Sequence, residues 1–467
     1  MASNIIAPYL EEHRGILHVA GHSVMDLRER FGSNLFVYSE AQITENVRLL
    51  QRAYARHYPR FRIMYASKAC SNLEILRHIV SLDCGLDANS GGELFKAHRV
   101  GVSFDRIVYN GTSKTADEVT QGVVAGIRAF NVDSISELKR IGDIARRLRL
   151  IANVMPRVIP GVLGGTVAGF ETGHVGSKFG MPFEDLPHVA QVLRDYPCLK
   201  FRGFHCHVGS QVVRTEAFSS AMRTVVAEMV RFGRETGFMA DTMNMGGGLP
   251  IPLVPDAAAL PAHRDGSALP EDVQALMRGA ISVPDVAAET ASAWKDAGAD
   301  PADFDVFIEP GRSVVGTAGV LLSTIEARKK RPDGVDWLLL DCGFNTMPET
   351  LWYNWYYHIV SGNRANEATD TAFRLGGPLC DTGDSQHDET GRGRLPNVRW
   401  LPKNTRAGDC LVVLGTGAYC IEQQSNYNGR PRAAAVIVRS NGVIDRIARR
   451  ETYEDLVARD VGARREP

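Results

Sequence analysis

The chain has 467 residues, of which 44% are hydrophobic and 23% charged, and its formal net charge is −1. This length predicts more than one domain, and the composition is that of a soluble globular enzyme. Because the Lys and Arg residues form no basic stripe or polybasic cluster, we expect neither a nucleic-acid partner nor a membrane surface. The sequence predicts a neutral cytoplasmic protein that handles a small molecule.

Three further features support that class. Charged residues interrupt the apolar residues of segment 1–20, so it predicts no signal peptide, and no apolar run approaches the 18 residues of a membrane span. The eight cysteines lie apart, without C-x-x-C pairs. This spread is typical of a reducing compartment and argues against both a disulfide framework and a structural zinc site.

Short apolar runs alternate with amphipathic helical patterns between about residues 34 and 316. The runs are 35–38, 63–66, 106–109, 129–132, 151–154, 201–204, 242–245 and 306–308. Such alternation predicts a parallel α/β architecture, and about eight repeats favour a (β/α)8 barrel over an open sheet. No G-x-G-x-x-G motif follows an early strand, which argues against a dinucleotide-binding fold.

The pattern changes after residue 317. Short β-type runs at 320–322, 337–340, 410–414 and 434–438 are separated by Gly and Pro turns. They predict a C-terminal, mostly antiparallel β domain, either a β-sandwich or a Greek-key barrel. We therefore expect an N-terminal segment, 1–36, that packs with the β domain, a barrel over 37–316 and a β domain over 317–467. Segments 253–282 and 382–399 have the composition of long loops.

Lys68 follows an apolar run that is predicted to be a barrel strand. Residues at the C-terminal ends of barrel strands face the active site, where a partly desolvated lysine can attack an aldehyde and form an imine. A solvated surface charge is the plainer interpretation of such a lysine taken alone.

Two glycine motifs follow other predicted strands. Gly246, Gly247 and Gly248 end one of them, and Glu309, Pro310, Gly311 and Arg312 end another. Glycines at such places let backbone N–H groups approach a phosphate, although a tight turn without a ligand explains either motif alone. Glu309 is either a salt-bridge partner or a carboxylate that hydrogen-bonds a pyridine nitrogen.

His205 and His207 lie two residues apart and are therefore predicted to share one face of a strand. A metal pair is the obvious interpretation, but no nearby carboxylate or third histidine completes a ligand set, so we expect no metal. A neutral imidazole stacked on a flat cofactor fits better.

Seven short motifs occur together and in one order along the chain. They are residues 65–69, 207–211, 246–248, 309–312, 380–381, 417–419 and 426–431. Over roughly residues 36–460 the chain resembles the ornithine/diaminopimelate decarboxylases, which are fold-type III enzymes that use pyridoxal 5′-phosphate (PLP) on an alanine-racemase-like barrel with a β domain. Each motif is weak alone, but seven in sequence are specific.

The resemblance implies a role for each matching residue. Lys68 binds PLP as an imine, His207 stacks on the ring, Glu309 holds the ring nitrogen, and Asp87 lies near Lys68 and the ring. The phosphate ligands implied are Ser210, Gly246, Gly247, Gly248, Gly311 and Tyr419. The family also implies a homodimer with shared active sites, in which Cys380 of one subunit serves the site of the other. Cys380 or Lys68 then returns a proton to the α-carbon after CO2 has left.

The substrate is less constrained. Diaminopimelate decarboxylases usually carry an arginine for the distal carboxylate where our alignment places Glu349, and they have a glutamate where this chain has Asp381. Acidic residues there suit a distal ammonium, so we expect Glu349 and Asp381, with Arg312 and Tyr419, to contact the substrate. Segments 352–357, 377–381 and 449–455 are similar to the bacterial D-ornithine/D-lysine decarboxylases.

Lysine or ornithine, in the D configuration, is accordingly the first choice of substrate. The alternatives are meso-diaminopimelate, which would give L-lysine, and a related carboxylated diamine of a specialised pathway. Three other classes remain open at this point: an amino-acid racemase on the same fold, a non-catalytic homologue that binds a partner, and an unrelated phosphate-binding barrel enzyme. The first lacks support from the Cys380 motif, and the second should have lost Lys68 or the phosphate glycines.

Overall fold

A computed structural model describes residues 9–166, 172–174, 176–388 and 394–462. Its internal contacts divide the chain into two units. The barrel unit consists of Thr44–Ile251 and Gly279–Val314, and the β unit consists of the remaining described residues. Each unit is therefore assembled from segments that are distant in sequence.

The barrel unit contains a parallel sheet whose strands follow one another in space. Its strand segments are Phe61–Ala66, Gly85–Ala88, Ile107–Tyr109, Ala129–Val132, Ala152–Pro156, Leu199–Phe201, Gly203–His205, Thr242–Asn244 and Asp305–Ile308. The segments on either side of Arg202 are one interrupted strand, which gives eight strands among the described residues. The strand Asp305–Ile308 pairs with Phe61–Ala66, and a bridge between Arg157 and His205 closes the ring. The predicted (β/α)8 barrel is confirmed.

Helices follow the strands of this unit. They are Glu40–Tyr54, which begins in the β unit, and Leu73–Ser81, Gly91–Arg99, Ala116–Ala125, Ile135–Leu148, Leu186–Asp195, Thr215–Thr236, Val283–Asp296 and Arg312–Val315. Asn72, Ser90, Thr115 and Ser134 cap four of them with their side-chain oxygens, which explains where those helices begin. No helix among the described residues is both long and apolar enough to cross a bilayer.

The interior of the barrel is filled by side chains. Met64, Val108 and Phe307 form a buried apolar cluster contributed by three strands. A filled barrel has no pore, so a ligand can reach only the rim. Because all the strands are parallel, their carboxyl ends share one rim, and polar residues at those ends come together there.

The β unit holds two sheets. The smaller is antiparallel and consists of Leu10–His13, Ile16–Val19 and His22–Ser23. The larger consists of Leu35–Ser39, Gly319–Lys329, Asp336–Leu340, Ile359–Ser361, Thr371–Gly376, Arg399–Leu401, Cys410–Leu414, Ala434–Val438 and Ile444–Ala448. Most of its pairings are antiparallel, and the two parallel ones join Asp336–Leu340 to Thr371–Gly376 and Leu35–Ser39 to Ala434–Val438. This matches the predicted β domain.

The β unit also contains short helices. They are Val24–Phe31, Glu271–Arg278, Glu349–Tyr353, Cys420–Gln423 and Tyr453–Val457. The first packs its buried residues Val24 and Leu27 into the same apolar cluster as Leu35, Val37 and Val436. The N-terminal strands therefore share a core with the C-terminal sheet.

One apolar run has a different position from the one that its pattern predicts. The run at 35–38 was interpreted as a barrel strand, but Leu35–Ser39 lies inside the sheet of the β unit, between Gly319–Lys329 and Ala434–Val438. All five residues are buried. A short, continuously apolar strand has the same sequence pattern in either kind of sheet, so periodicity cannot assign it.

Candidate active site

Lys68 lies immediately beyond the carboxyl end of a barrel strand. The strand Phe61–Ala66 ends in a single 3-10 turn, Ser67–Ala69. The Ser67 hydroxyl lies 2.8 Å from the carbonyl of Asp87 and 2.7 Å from the Glu93 carboxylate. Ser67 and Ala69 are buried on either side of Lys68, whose own side chain is exposed. The contacts of Ser67 thus fix the turn, and the amine of Lys68 lies at the rim of the barrel.

Glu309 is the most heavily hydrogen-bonded carboxylate of this rim. It follows the strand Asp305–Ile308 and is only 6% exposed. Its Oε1 accepts N–H bonds from Asn110 (2.9 Å), Asn131 (2.9 Å) and Asn244 (2.6 Å). Its Oε2 lies 3.1 Å from Nε2 of His205, the last residue of its strand. Four strands therefore direct a polar group onto one carboxylate.

Burial by itself would raise the pKa of Glu309, but the interaction with His205, then the interaction with His207 and the hydrogen bond from Asn244, lower it to about 2. Burial lowers the pKa of His205, which favours its neutral form. In that form Nε2–H donates to Oε2. Glu309 is therefore an ionised carboxylate whose four direct donors are neutral.

Asp87 shares a hydrogen-bond partner with Glu309, but its pKa is shifted in the opposite direction. Nδ2 of Asn110 also lies 2.8 Å from Oδ1 of Asp87, so one amide bridges the two carboxyl groups. Burial, and after it the charge of Glu309, raises the pKa of Asp87 well above its ordinary value, while the charge of Lys68 opposes the shift. Because two close buried carboxylates do not ionise together, the proton resides on Asp87.

His207 is fixed in one tautomer. Its Nδ1 accepts an N–H bond of 2.9 Å from the backbone of Gly247. Burial, and then the nearby charges of Lys68 and Arg157, hold its pKa well below the ordinary value. The ring is therefore neutral, with its hydrogen on Nε2. The stacking of this ring on a flat cofactor stays a prediction.

The glycine run is required by close packing of the backbone. A Cβ on Gly246 would lie 2.3 Å from the carbonyl oxygen of Cys206, and one on Gly247 would lie 2.2 Å from that of Glu309. The N–H of Gly246 donates to Oδ1 of Asn244, and that of Gly247 donates to His207. The expectation that all three N–H groups face a phosphate is therefore too broad, because two of them already have protein acceptors.

Gly311 brings the next loop close to the lysine turn. A Cβ there would lie 3.0 Å from that of Ala69 and 3.2 Å from that of Ala66, next to Lys68. Arg312 begins the helix Arg312–Val315 and is buried. Ser210 is half-buried, and its carbonyl accepts a 2.6 Å hydrogen bond from Thr166. The structure thus places Gly311 against the lysine turn.

Four predicted site residues lie in the β unit. Cys380 is exposed and its N–H donates to Oδ1 of Asn428 at 2.7 Å. Asp381 is also exposed and lies 3.4 Å from the hydroxyl of Tyr427. Tyr419 has a φ of 67°, which is unusual for a residue other than glycine. The backbone at Tyr419 is thus held in a strained conformation.

Glu349 does not have the position that we expected for it. The carboxylate that the alignment places at the distal end of the substrate is only 2% exposed, and its Oε2 accepts a 3.2 Å hydrogen bond from Tyr357. The Tyr357 hydroxyl also lies 3.1 Å from the sulfur of Cys420. Glu349 is therefore part of a buried polar cluster of the β unit.

Asp384, which no sequence motif singles out, organises the turn that carries Cys380. Its carboxylate accepts N–H bonds from Phe344 (2.8 Å) and Leu379 (2.9 Å). A Cβ on Gly343 or Gly377 would lie within 2.4 Å of that carboxylate. Glycine at both positions is a sign of this close approach, although the sequence does not say which residue makes it.

No sequence motif singles out the asparagines around Glu309, and the histidine pair does not predict the contact of His205 with Glu309. Asn131 and Asn244 lie in barrel strands, and Asn110 directly follows one. A signal was present, because polar residues at the carboxyl ends of barrel strands face the site. No group of three or more possible metal ligands occurs among the described residues.

Comparison with known proteins decides the family. The pyridoxal binding domain of the pyridoxal-dependent decarboxylases matches residues 41–316. The chain belongs to the pyridoxal-dependent decarboxylase family. It is 35% identical to the diaminopimelate decarboxylase of Methanocaldococcus jannaschii, over 96% of this chain and 95% of the relative. The corresponding enzyme of Aquifex aeolicus is 32% identical over 96% and 97%.

Solved structures agree with the sequence relatives. The crystal structure of the M. jannaschii diaminopimelate decarboxylase matches with a TM-score of 0.83 at 32% identity, covering 97% of this chain and 98% of that one. A second crystal structure of that enzyme, in complex with L-lysine, matches with the same TM-score and covers 99% of each chain. The chain is thus a PLP-dependent carboxy-lyase with the complete two-domain architecture of this family.

The residues at the barrel rim fit PLP. The rim carries an exposed primary amine, a neutral imidazole and a buried anionic carboxylate that has only neutral donors. A buried anion of this kind calls for a cationic partner, and a protonated pyridine nitrogen is one. Lys68, His207 and Glu309 therefore match the aldehyde, the flat ring and the ring nitrogen of the coenzyme.

The protonation of Asp87 predicts an unusual dependence of stability on pH. A carboxyl group whose pKa is raised by folding contributes its full stability below its ordinary pKa of 3.8, and this contribution is lost as the pH rises through the raised value. Asparagine does not ionise, so Asp87→Asn removes this loss of stability at high pH. We expect the coenzyme-free variant to be about 1 kcal/mol more stable than the wild type at pH 8, with the difference disappearing towards pH 4.

Urea-induced unfolding of both proteins between pH 4 and 8 measures this difference. Asp195→Asn, at an exposed position of the same unit, is the matched control and should not change the pH dependence. A constant difference between Asp87→Asn and the wild type across this range would contradict the assignment of the proton to Asp87.

Proposed function

We propose that this protein decarboxylates meso-diaminopimelate at its D centre, which gives L-lysine and CO2. The observation that carries the proposal is the match to diaminopimelate decarboxylases over nearly the whole of both chains, at 35% identity for the M. jannaschii enzyme. The L-lysine complex of that enzyme supports the same product. A small amino acid is in either case the class of substrate that this family handles.

Our first expectation, D-lysine or D-ornithine, depended on an acidic residue near the distal end of the substrate. Glu349 is buried and hydrogen-bonded to Tyr357, which weakens that argument because the carboxylate already has a partner in its own unit. D-Lysine and D-ornithine remain the second candidates. The exposed Asp381 favours them, since a carboxylate at that position suits a distal ammonium.

Each residue of the rim has a proposed task. PLP, once bound, supplies an electron sink that accepts the electrons of the broken carbon–carboxylate bond. Lys68 would hold the coenzyme covalently and would leave as a free amine when the substrate amine takes its place, while His207 would support the ring through its flat face. Glu309 holds the proton of the ring nitrogen by its negative charge. Gly248, Ser210, Gly311 and Tyr419 are the proposed phosphate ligands, and Arg312 contacts the phosphate or the substrate.

Cys380 is the proposed proton donor to the α-carbon, and we propose that it comes from the second subunit of a homodimer. Its thiol is exposed on the β unit, at a turn that Asp384 holds rigid. A thiol that must reach a neighbouring subunit has to lie at the surface of its own chain. A cytoplasmic, reducing location would keep this thiol free.

A substrate panel tests the proposed reaction. We expect CO2 release from meso-diaminopimelate to exceed that from D-lysine, D-ornithine, L-lysine and L-ornithine by at least about a hundredfold in kcat/KM, because each analogue lacks the second carboxylate. Purified enzyme with added PLP and each compound in turn is the measurement. Preferential turnover of D-lysine or D-ornithine would overturn the proposal in favour of the second candidate.

Replacing Lys68 tests the covalent attachment. Lys68→Ala should lose the visible absorbance of the lysine-bound coenzyme and at least about a thousandfold in kcat, because the imine that holds the coenzyme can no longer form at this position. Borohydride should fix PLP to the wild type and not to the variant. The exposed Lys139→Ala, on the helix Ile135–Leu148, is the matched control. A coloured, active Lys68→Ala protein would refute the assignment.

A hybrid dimer tests the shared site. Lys68→Ala and Cys380→Ala chains, carrying different tags and purified as a mixed dimer, should recover about half of the wild-type kcat, since one of the two sites then holds both intact residues. Each parent variant alone should be nearly inactive. A hybrid no more active than the mean of its parents would place both residues in the same chain's site.

A further inference from the structure

The family resemblance implies no role for three asparagines that surround Glu309. Asn110, Asn131 and Asn244 belong to three different strand ends and all donate to the same oxygen, Oε1. All three side chains are buried. A protonated carboxyl group could not use three donors on one oxygen as well as a carboxylate does, so this arrangement selects the anion.

The orientation of these amides also indicates that Glu309 is ionised. Within the described part of the chain, Oδ1 of Asn110 and Oδ1 of Asn131 are buried and have no hydrogen-bond partner. Turning either amide over would place Oδ1 against Oε1 of Glu309, which is repulsive. The structure leaves two buried acceptors unsatisfied and keeps both donors on the carboxylate. Stabilising the anion is therefore the stronger requirement at this site.

A buried ion pair supports two of the three asparagines. Nζ of Lys114 donates to the carbonyl of Gly111 (2.8 Å), to the carbonyl of Asn131 (3.0 Å) and to Glu137 (2.5 Å). Gly111 directly follows Asn110. Lys114 thus links the ends of two neighbouring strands, and both Lys114 and Glu137 are buried. The separation of the two amides is fixed by a contact that does not touch Glu309.

We propose that Asn110, Asn131 and Asn244 form a cradle that keeps Glu309 ionised through Oε1, so that Oε2, which among the described residues accepts only from His205, can also take the ring nitrogen of PLP. The three asparagines are positioning residues, because they act through Glu309. They stabilise the negative charge with neutral donors and leave the charge in place. An arginine at the same position would neutralise it. The charge stays available to keep the ring nitrogen protonated.

The other charged groups around Glu309 do not replace the cradle. His205 is neutral at Oε2, and Asp87, when ionised, opposes the charge of Glu309. Arg157 lies within electrostatic reach of Glu309, but its nearest carboxylate is that of Asp133, at 4.0 Å. His207 has a lowered pKa and contributes no proton near neutrality. The asparagines are thus the main source of direct hydrogen bonds to the anion.

The test measures binding of PLP as a function of pH and needs no substrate. Asn131→Ala removes one donor, and Asn131→Asp replaces it by an acceptor of the same shape. A hydrogen bond to a charged group is worth roughly one factor of ten or more in a protonation equilibrium. We expect the PLP dissociation constant of each variant, divided by that of the wild type, to be about twofold larger at pH 4 than at pH 8, with Asn131→Asp more affected.

Dividing by the wild-type value removes the titration of Lys68 and of the PLP phosphate, which all the proteins share. Asn153→Ala is the matched control, because Asn153 lies in the barrel strand Ala152–Pro156 and bonds to the carbonyl of Ile127. Its ratio should not depend on pH. A ratio for Asn131→Ala that is equally independent of pH would overturn the proposal, since a merely structural role weakens binding equally at every pH.

If Asn131→Ala does not fold, Asn131→Ser and the coenzyme-free wild type keep the proposal testable. The infrared carboxylate band assigned to Glu309, from the difference between the wild type and Glu309→Gln, should persist in the coenzyme-free wild type down to about pH 4. In Asn131→Ser it should be lost at a higher pH. Equal behaviour of the two proteins would refute the cradle. Because the readout is PLP binding or a carboxylate band, these outcomes are independent of which amino acid is decarboxylated.

Discussion

The site depends on one buried negative charge. Glu309 is removed from water, and its four direct hydrogen-bond donors are three amides and a neutral imidazole. A charge held in this way is stable but not neutralised, and it attracts a cation of suitable shape. The barrel makes the arrangement possible, because the ends of its parallel strands meet at one rim. The ionised state of Glu309 also determines the protonation of its neighbour, because the proton that Glu309 does not carry resides on Asp87.

Much of the fold could be predicted from the sequence, because alternating apolar runs and amphipathic helices have few architectural solutions. The run at 35–38 shows the limit. Leu35–Ser39 is buried on both faces in the β unit, as a barrel strand would be, so composition and periodicity do not distinguish the two. The partner strands come from Gly319–Lys329 and Ala434–Val438, hundreds of residues away, and no local pattern encodes such pairings.

The site was predictable where a residue carries its own chemical signature. Lys68, His207 and Glu309 could be found because an amine, an imidazole and a carboxylate at strand ends are conspicuous. Asparagines are not, since an amide is common in turns and its value here comes only from sharing Glu309 with two others. Glu349 shows the reverse case: its charge suggested a role in substrate recognition, but its environment, a buried contact with Tyr357, could not be inferred from its place in the sequence.

The contact between Lys114 and Glu137 also restricts how this barrel can diverge. Each partner is buried, so losing either one leaves an isolated charge in the interior, a defect worth about 3–5 kcal/mol. A lineage can replace the pair only by two nearly simultaneous changes or after other substitutions have added stability. The two positions should therefore vary together or not at all among descendants, even though neither forms a hydrogen bond with Glu309.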